Sequence, residues 1–310
     1  MGMYVYYCLQ DYDKALIELQ QANQQLPNNP LILQAIGLVK RRQGKMDESV
    51  ALQLQAAQGD PLNQDIWINL GWSYRGMRKF TEAIAMLDRA LSIAPNERSI
   101  VGRKAETLFA GGDLVAATRL VEQLNPKFTE GEYFARIGVL VFQRKFDEAI
   151  AMITSDLAKA QSPPAIVVAG MHLTLGEIHL VAGREQAQPF LLQAEKELIA
   201  LKEQGDASPD LRALLLEVHA TLGRREEVER EAKDHIAQEA KDRWSGPKGE
   251  VDVARAYAIL SDRDRALAIL ERLLVQPYAD SLTAAYLRID PIWDRIRDDP
   301  RFQKLANATP

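Results

Sequence analysis

Residues 67–74 read WINLGWSY, and this stretch decides the fold of the chain. Its large residues Trp67, Leu70 and Tyr74 are three and four positions apart, which is the spacing of one face of an α-helix. Gly71 lacks a side chain, so a second helix can approach closely at that point. The stretch therefore predicts a helix that packs tightly against a neighbouring helix.

The same features recur along the chain at a fixed interval. Pro27, Pro61 and Pro95 are 34 residues apart, and each can end a helix because proline cannot continue the hydrogen-bond ladder. Three alanines keep the same step, namely Ala22, Ala56 and Ala90. A helix pair of this length cannot bury its apolar face alone, so we expect successive units to stack into a solenoid.

The stretch resembles the tetratricopeptide-repeat (TPR) signature W-x2-L-G-x2-Y at every specified position. Ala83 and Leu87 follow with the A-x3-F spacing of that signature, and Pro95 closes the unit. The resemblance implies an all-α fold, a right-handed TPR α-solenoid of antiparallel helix pairs. The register predicts roughly seven to eight repeats, with a degenerate second half.

The regularity of the pattern changes along the chain and predicts three regions. They are a regular TPR array at 1–160, degenerate TPR-like helical repeats at 161–277, and C-terminal capping helices at 278–310. Breaks are expected where Gly, Pro and polar residues cluster, at 161–164, 205–209 and 244–248.

The chain begins with apolar and aromatic residues at Tyr4, Val5, Tyr6 and Tyr7. A solenoid is normally closed by an element with a polar outer face. We therefore expect these side chains to face outward or to pack on an element that precedes them, and outward-facing side chains would allow self-association through the exposed N-terminal helix. The same feature predicts that the chain is a fragment of a longer protein.

A second motif, LTAAYLRIDPIWDRIRDDPRFQ, occupies residues 282–303. Asp290 and Asp299 each precede a proline, which combines an N-cap acid with a first-turn proline. Trp293 and Phe302 are expected to cover the last repeat. The motif resembles the closing segment of bacterial signalling proteins with C-terminal TPR arrays. Those proteins carry a cyclase, a serine/threonine kinase or a winged-helix domain upstream, so the resemblance implies a regulatory or sensory region. A free-standing scaffold or assembly factor is the alternative.

Composition argues against several kinds of partner and setting. The net charge of -5 disfavours nucleic acid, which requires a basic surface. No segment reaches the roughly 18 apolar residues of a membrane span, so no membrane partner is expected. The N-terminus lacks the basic start and cleavage site of a signal peptide. Cys8 is the single cysteine and cannot form an internal disulfide. These features predict a cytoplasmic protein.

No pattern in the sequence supports catalysis. The histidines and the cysteine lack metal-ligand spacing, and there is no phosphate-binding glycine loop or G-x-S-x-G elbow. His179 and His219 occupy the repeat position of Tyr74, so we expect them to pack between helices. The sequence therefore predicts no catalytic residue, no metal site and no cofactor, and the chain is not expected to be an enzyme.

A TPR solenoid presents the first helix of each unit to its concave groove, where the resemblance places a partner-binding site. By register, the groove residues are Gln34, Leu38, Arg41, Ile68, Asn69, Trp72, Arg75, Arg103, Glu106 and Phe109. Trp72 beside Arg75 has the composition of a binding hot spot, although packing between helices explains it equally well.

The groove differs from one known type of TPR site. Asn69, Arg75 and Arg103 resemble the polar clamp of TPR domains that bind acidic chaperone tails, but Leu38 and Trp72 stand at positions that such a clamp keeps polar. We therefore expect a protein or peptide partner, extended or helical, with apolar anchors.

Overall fold

The computed structural model describes residues 1–124, 131–239 and 242–308, and the regular elements of these residues are all helices. The helices follow one another in pairs, and each pair packs against the next. Their bounds are α1 Gly2–Tyr4, continued as a π-helix at Val5–Leu9, α2 Tyr12–Gln25, α3 Pro30–Arg42, α4 Met46–Gly59, α5 Gln64–Gly76, α6 Phe80–Ile93, α7 Arg98–Ala110, α8 Leu114–Glu122, α9 Gly131–Phe142, α10 Phe146–Lys159, α11 Ala165–Val181, α12 Ala187–Glu203, α13 Pro209–Thr221, α14 Arg225–Glu239, α15 Gly246–Ile259, α16 Arg263–Leu273, α17 Ala284–Ile289, a 3-10 helix at Pro291–Trp293, and α18 Pro300–Ala306.

Local sequence sets the helix ends in the first half. Asn29 Oδ1 accepts hydrogen bonds from the amides of Leu31 and Ile32 at the start of α3, and Pro30 occupies its first turn. The prolines of the 34-residue repeat lie just beyond the ends of α2, α4 and α6. The repeat interval therefore corresponds to one helix pair, as the sequence predicts.

Small residues bring the paired helices together. A Cβ atom at Gly71 would lie 3.0 Å from Leu87 Cγ and 3.2 Å from the carbonyl oxygen of Ala83. Ala83 and Ala90 are completely buried between α5, α6 and α7. The predicted close approach of α5 and α6 at Gly71 is confirmed.

The second half keeps the pairing, and its α11 and α12 have 17 residues each. The predicted break at 244–248 lies slightly earlier, since residues 242–245 form a turn between α14 and α15. Helix α15 begins at Gly246 with Pro247 in its first turn, and Trp244 just before it is 1% exposed. Trp244 is buried because it packs against Trp72, Met46 and Met77 of the first half.

Beyond α16 the chain crosses one face of the solenoid. This face is formed by α3, α5 and α7, the first helices of their pairs, and we call it the groove. Residues 277–283, which we call the groove segment, are non-helical and contact α5 and α7. Helix α17 then packs on α7, while Trp293 and Phe302 are fully buried against α15 and α16. Asp290 and Asp299 accept hydrogen bonds from the amides two residues later, at 3.0 and 2.9 Å, which confirms both N-caps.

The N-terminal residues differ from one expectation. Val5 and Tyr6 do not face outward: both are buried against α2 and α3, and the Tyr6 hydroxyl accepts a hydrogen bond from Arg42 Nε at 2.9 Å. The apolar side chains of α2 and α3 cover them. Tyr4 and Tyr7 are exposed as expected. Self-association through this face stays a prediction.

Candidate functional site

The predicted groove residues lie on three successive first helices, α3, α5 and α7. Arg41, Arg75 and Phe109 are 34 residues apart and occupy equivalent positions on these helices. Leu38, Trp72 and Glu106 form a second such row, three residues earlier in each helix. The structure brings most of these side chains against one further element, the C-terminal part of the same chain.

Trp72 is the centre of this contact. Its Nε1 donates a hydrogen bond to Asp280 Oδ1 at 3.4 Å, and its ring centroid lies 6.2 Å from that of Trp244, nearly perpendicular to it. The Arg41 guanidinium lies 5.5 Å from the Trp72 ring and 4.6 Å from the Trp244 ring. Arg103 lies 5.0 Å from the Trp72 ring. Two cations and a second indole therefore surround Trp72, an arrangement that stabilises aromatic contacts.

Residues of α5 hold the Arg41 side chain in place by hydrogen bonds. Its Nη1 donates to Ser73 Oγ at 3.1 Å and to the Asn69 carbonyl oxygen at 3.3 Å, and its Nη2 donates to Asn69 Oδ1. Burial lowers the pKa of the Arg41 guanidinium to about 10, so it remains charged at neutral pH. A fixed cation thus lies between the two tryptophans.

Arg75 holds a carboxylate of the groove segment. Its Nη1 lies 3.0 Å from Asp280 Oδ1 and 3.0 Å from Glu106 Oε2. The Arg75 side chain is 7% exposed and the Asp280 side chain 34%. Burial lowers the pKa of Arg75, but Asp280, Tyr286 and Glu106 together raise it above its ordinary value. Arg75 is therefore a permanent cation at the base of the groove.

Phe109 extends the site along α7. Its ring centroid lies 5.5 Å from those of Tyr286 on α17 and Phe142 on α9, in edge-to-face geometry with each. Thr283 Oγ1 donates to the Ala110 carbonyl oxygen at the end of α7, at 2.9 Å. The groove segment therefore continues into an aromatic cluster that joins α7, α9 and α17.

The remaining predicted residues have different environments. Leu38 is buried in the apolar cluster of the first unit, and Ile68 packs with Leu87 and Ile100 of α6 and α7. Asn69 receives the Arg41 hydrogen bond, and Gln34 is half-buried on α3. The site that contacts the groove segment therefore centres on Trp72 and Arg75, and Phe109 contacts Tyr286 just beyond the segment.

Sequence reasoning missed two residues of the site, Trp244 and Arg78. The Arg78 guanidinium donates hydrogen bonds to the carbonyl oxygens of Leu273, Gln276 and Leu282, at 2.8 to 3.0 Å. Trp244 could have been found from its polar sequence surroundings. A large apolar side chain is seldom left in solvent, so a tryptophan in such a stretch indicates a buried contact. Arg78 follows the last turn of α5, and nothing in its local sequence indicates its distant partners.

A polar cavity of about 1200 Å³ opens beside the groove. Its walls come from the first unit, the start of α13, residues 242–252 and the groove segment, and Trp72 and Asp280 lie at its edge. Across it, Arg42 Nη1 contacts Asp242 Oδ2 at 2.5 Å, and the Tyr12 hydroxyl donates to the same oxygen at 3.0 Å. These contacts join α2 and α3 to the turn that precedes α15.

The second half carries a charged cluster at the groove position equivalent to Trp72. Arg255 on α15 contacts Glu217 on α13 at 2.9 Å and Asp290 at 3.1 Å. Burial, followed by the charge of Glu217, raises the pKa of Glu177 on α11 well above its usual range. Burial likewise raises the pKa of Asp290. The cluster ties the C-terminal motif to three first helices.

The histidines at the Tyr74 position are buried, as the register predicts. The His179 ring stacks on Phe190 with centroids 5.3 Å apart, and His219 Nδ1 lies 2.8 Å from Glu231 Oε2. Among residues 1–124, 131–239 and 242–308, no group of three or more His, Cys, Asp or Glu side chains is placed to hold a metal ion. In the same residues, no helix has the length and apolar composition to cross a membrane.

Comparison with known proteins supports the fold. A family model of the tetratricopeptide repeat matches residues 74–140. A TPR protein from Parabacteroides merdae is similar in structure, with a TM-score of 0.53, 14% identity, and coverage of 74% of this chain and 88% of that chain. The chain therefore has an all-α TPR solenoid fold.

Two further solved structures are more distant. PilW, a type IV pilus biogenesis factor, has a TM-score of 0.45 and 16% identity, and 67% of this chain aligns with 92% of it. YrrB, a TPR protein with an unusual peptide-binding site, has a TM-score of 0.41 and 15% identity, and 58% of this chain aligns with 91% of it. No curated protein matches the sequence.

Proposed function

We propose that this chain is a protein-binding module whose concave groove takes a polypeptide partner. One observation carries the proposal. A non-helical stretch of polypeptide, the groove segment, already lies across Trp72, Arg75 and the end of α7, held by hydrogen bonds and one ion pair. The face therefore has the donors, cation and aromatic surface that a bound polypeptide requires.

The test is affinity capture from an extract of the source organism, with a matched pair of double variants. Trp72→Ala with Arg75→Glu alters the groove. Trp67→Ala with Arg89→Glu is the control, because it changes the same residue types at a contact between α5 and α6, where Arg89 lies 5.7 Å from the Trp67 ring. We expect a specific protein to be retained by wild type and the control and released by the groove variant. Equal retention by both variants, with similar urea midpoints, would show that the groove is not the binding site.

We further propose that the module is the regulatory or sensory part of a larger bacterial signalling protein in the cytoplasm. The C-terminal motif supports this proposal through its resemblance to such proteins, and a free-standing scaffold is the alternative. The mass of the native protein in source cells separates them. A mass well above 34.7 kDa, with peptides from a catalytic or DNA-binding domain, supports the signalling protein. A mass near 34.7 kDa supports the scaffold.

A further inference from the structure

A small cavity lies beside the charged cluster of the second half, and we call it the capping cavity. Its volume is about 230 Å³, and its walls come from the C-terminal ends of α11, α13 and α15 and from residues 291–295. Leu180, Ile259 and Ile292 give these walls an apolar lining. The cavity is smaller than the roughly 300–1,000 Å³ of sites for drug-sized ligands, so a group that fills it must be small.

Glu177 is the charged residue of the cavity wall that lacks an ionic partner among the described residues. Its Oε1 is buried and, within the same residues, has no hydrogen-bond partner. Arg255 is the nearby cation, but it already contacts Glu217 at 2.9 Å and Asp290 at 3.1 Å. Three carboxylates therefore share one guanidinium. Because a buried charge without compensation is costly, Glu177 must either carry a proton or hold a cation.

Without a ligand, the Glu177 carboxyl holds the proton. Burial, followed by the negative charge of Glu217, raises the pKa of Glu177 well above its usual range, and Asp290 adds to this effect while Arg255 opposes it. The carboxyl therefore stays neutral at pH values where an exposed glutamic acid is ionised. A cation placed beside it would favour the ionised form.

The other charged residues that line the capping cavity are already engaged. Asp294 Oδ2 lies 2.9 Å from Arg144 Nη1, and Arg295 Nη1 donates a hydrogen bond to the Ile259 carbonyl oxygen at 2.5 Å. Asp294 and Arg295 are both exposed, and their opposite charges largely offset each other. The Glu177 carboxyl is therefore the group of this wall that is available to a ligand.

We propose that the capping cavity binds an ammonium group carried on a short apolar chain, with the Glu177 carboxylate as its counter-ion and Ile259 and Ile292 beside the chain. An ammonium group has three donors and one positive charge. It supplies both the hydrogen bond that Glu177 Oε1 lacks and the positive charge that the cluster lacks. The site is separate from the groove, and its ligand contacts α11, α15 and the C-terminal motif together.

The first test is isothermal titration calorimetry of the full chain with n-pentylamine at pH 7 in phosphate buffer. We expect one saturable site, and at least about tenfold weaker binding of 1-pentanol, because the alcohol has the same chain without the charge. The peptide acetyl-Gly-Lys-Gly-amide presents the same group on a polypeptide. Tighter binding of pentylamine identifies a free amine as the ligand, and tighter binding of the peptide identifies a lysine side chain. No saturable binding of either, or equal binding of pentanol, overturns the proposal.

Two variants locate the bound ammonium group. Glu177→Gln keeps the size of the neutral carboxyl but cannot ionise, so it should weaken binding at least about tenfold. Val181→Phe should do the same by filling the cavity from α11. The matched control is Glu197→Gln on α12, which removes a carboxylate that contacts His172 at 2.7 Å and does not line the cavity. Unchanged binding in either cavity variant overturns the proposal. If Glu177→Gln fails to fold, Val181→Phe and the pentanol comparison decide.

Proton release separates an ionic contact with Glu177 from apolar packing alone. Pentylamine is already protonated at pH 6, since alkylammonium groups titrate near the lysine value of about 10.4. A pH indicator in weakly buffered solution should therefore report a proton released from wild type on binding, and none from Glu177→Gln. Binding should also tighten as pH rises from 5 to 7, by up to about tenfold per pH unit while the carboxyl is protonated. Binding that releases no proton and does not change with pH overturns the proposal.

Discussion

Gly76→Ala is the most direct perturbation of the contact between the two halves of the chain. A Cβ atom at position 76 would lie 2.4 Å and 2.5 Å from Cη2 and Cζ3 of Trp244, and 2.7 Å from the carbonyl oxygen of Tyr278. Ordinary van der Waals contact begins near 3.4 Å. The Trp244 indole and the groove segment must therefore both retreat by up to about 1 Å to accept a methyl group.

The cost follows from two opposing effects. Overpacking of a close-packed site costs about 1–3 kcal/mol. Alanine favours the helical conformation over glycine by at most about 1 kcal/mol, and less at the last residue of α5. Expulsion of Trp244 would raise the cost towards the roughly 3–5 kcal/mol of removing a large aromatic side chain. We therefore expect the free energy of unfolding to fall by about 1–2 kcal/mol.

Urea unfolding followed by tryptophan fluorescence measures this effect. The matched control is Gly170→Ala on α11, because a Cβ atom there would lie 3.8 Å from Leu214 Cδ1 of α13, which is an ordinary van der Waals contact. The control should gain up to about 1 kcal/mol from helix propensity. Gly76→Ala should unfold at lower urea than wild type and show red-shifted native fluorescence as Trp244 loosens. If both variants unfold at the same or higher urea than wild type, Trp244 does not pack on α5.

Three further predictions test other parts of the structure. Gly71→Leu should lower stability by about 1–3 kcal/mol, because its side chain meets Leu87, and a wild-type urea midpoint would contradict the helix register. The pKa of Glu177 is raised in the folded state, so the free energy of unfolding of wild type falls as pH rises from 4.5 through that pKa. Glu177→Gln should remove this fall. A steeper decline in the variant would contradict this. Arg78→Ala should lower the free energy of opening of the groove segment by about 2 kcal/mol, which hydrogen exchange at the Leu282 amide would report as a faster rate. An unchanged rate would refute the role of Arg78.

The repeat fold was predictable from sequence because its determinants are local and periodic. Gly71, Ala83 and Pro95 act within one unit, and their recurrence at 34 residues fixes both the pairing and the stacking of helices. The rows that contain Arg41 and Trp72 followed from the same register. The sequence therefore predicted which side chains share a face.

What covers that face was not predictable by the same reasoning. Trp72 contacts Trp244 and Asp280, which lie 172 and 208 residues further along the chain, and no repeat relates them. The irregular sequence at 244–248 indicated a break, yet its tryptophan is buried across the solenoid. Likewise, Val5 and Tyr6 lacked a visible cap in sequence because the side chains that cover them belong to α2 and α3. Long-range contacts of this kind leave no periodic signal.

A reversible disulfide tests most directly whether the groove must open to take its partner. A Cβ atom at Gly112 would lie 3.6 Å from Ala285 Cβ, within the Cβ–Cβ range of about 3.5–4.5 Å for a disulfide. Gly112→Cys with Ala285→Cys, in a Cys8→Ser background, therefore tethers the chain just beyond the groove segment.

The positive φ of +95° at position 112 strains the oxidised and reduced forms alike, so the reduced form of the same variant is its control. The measurement is capture of the partner. We expect the oxidised variant to lose capture and reduction to restore it. Equal capture by the oxidised and reduced forms would contradict it, because a partner that binds with the groove segment locked in place does not use this groove.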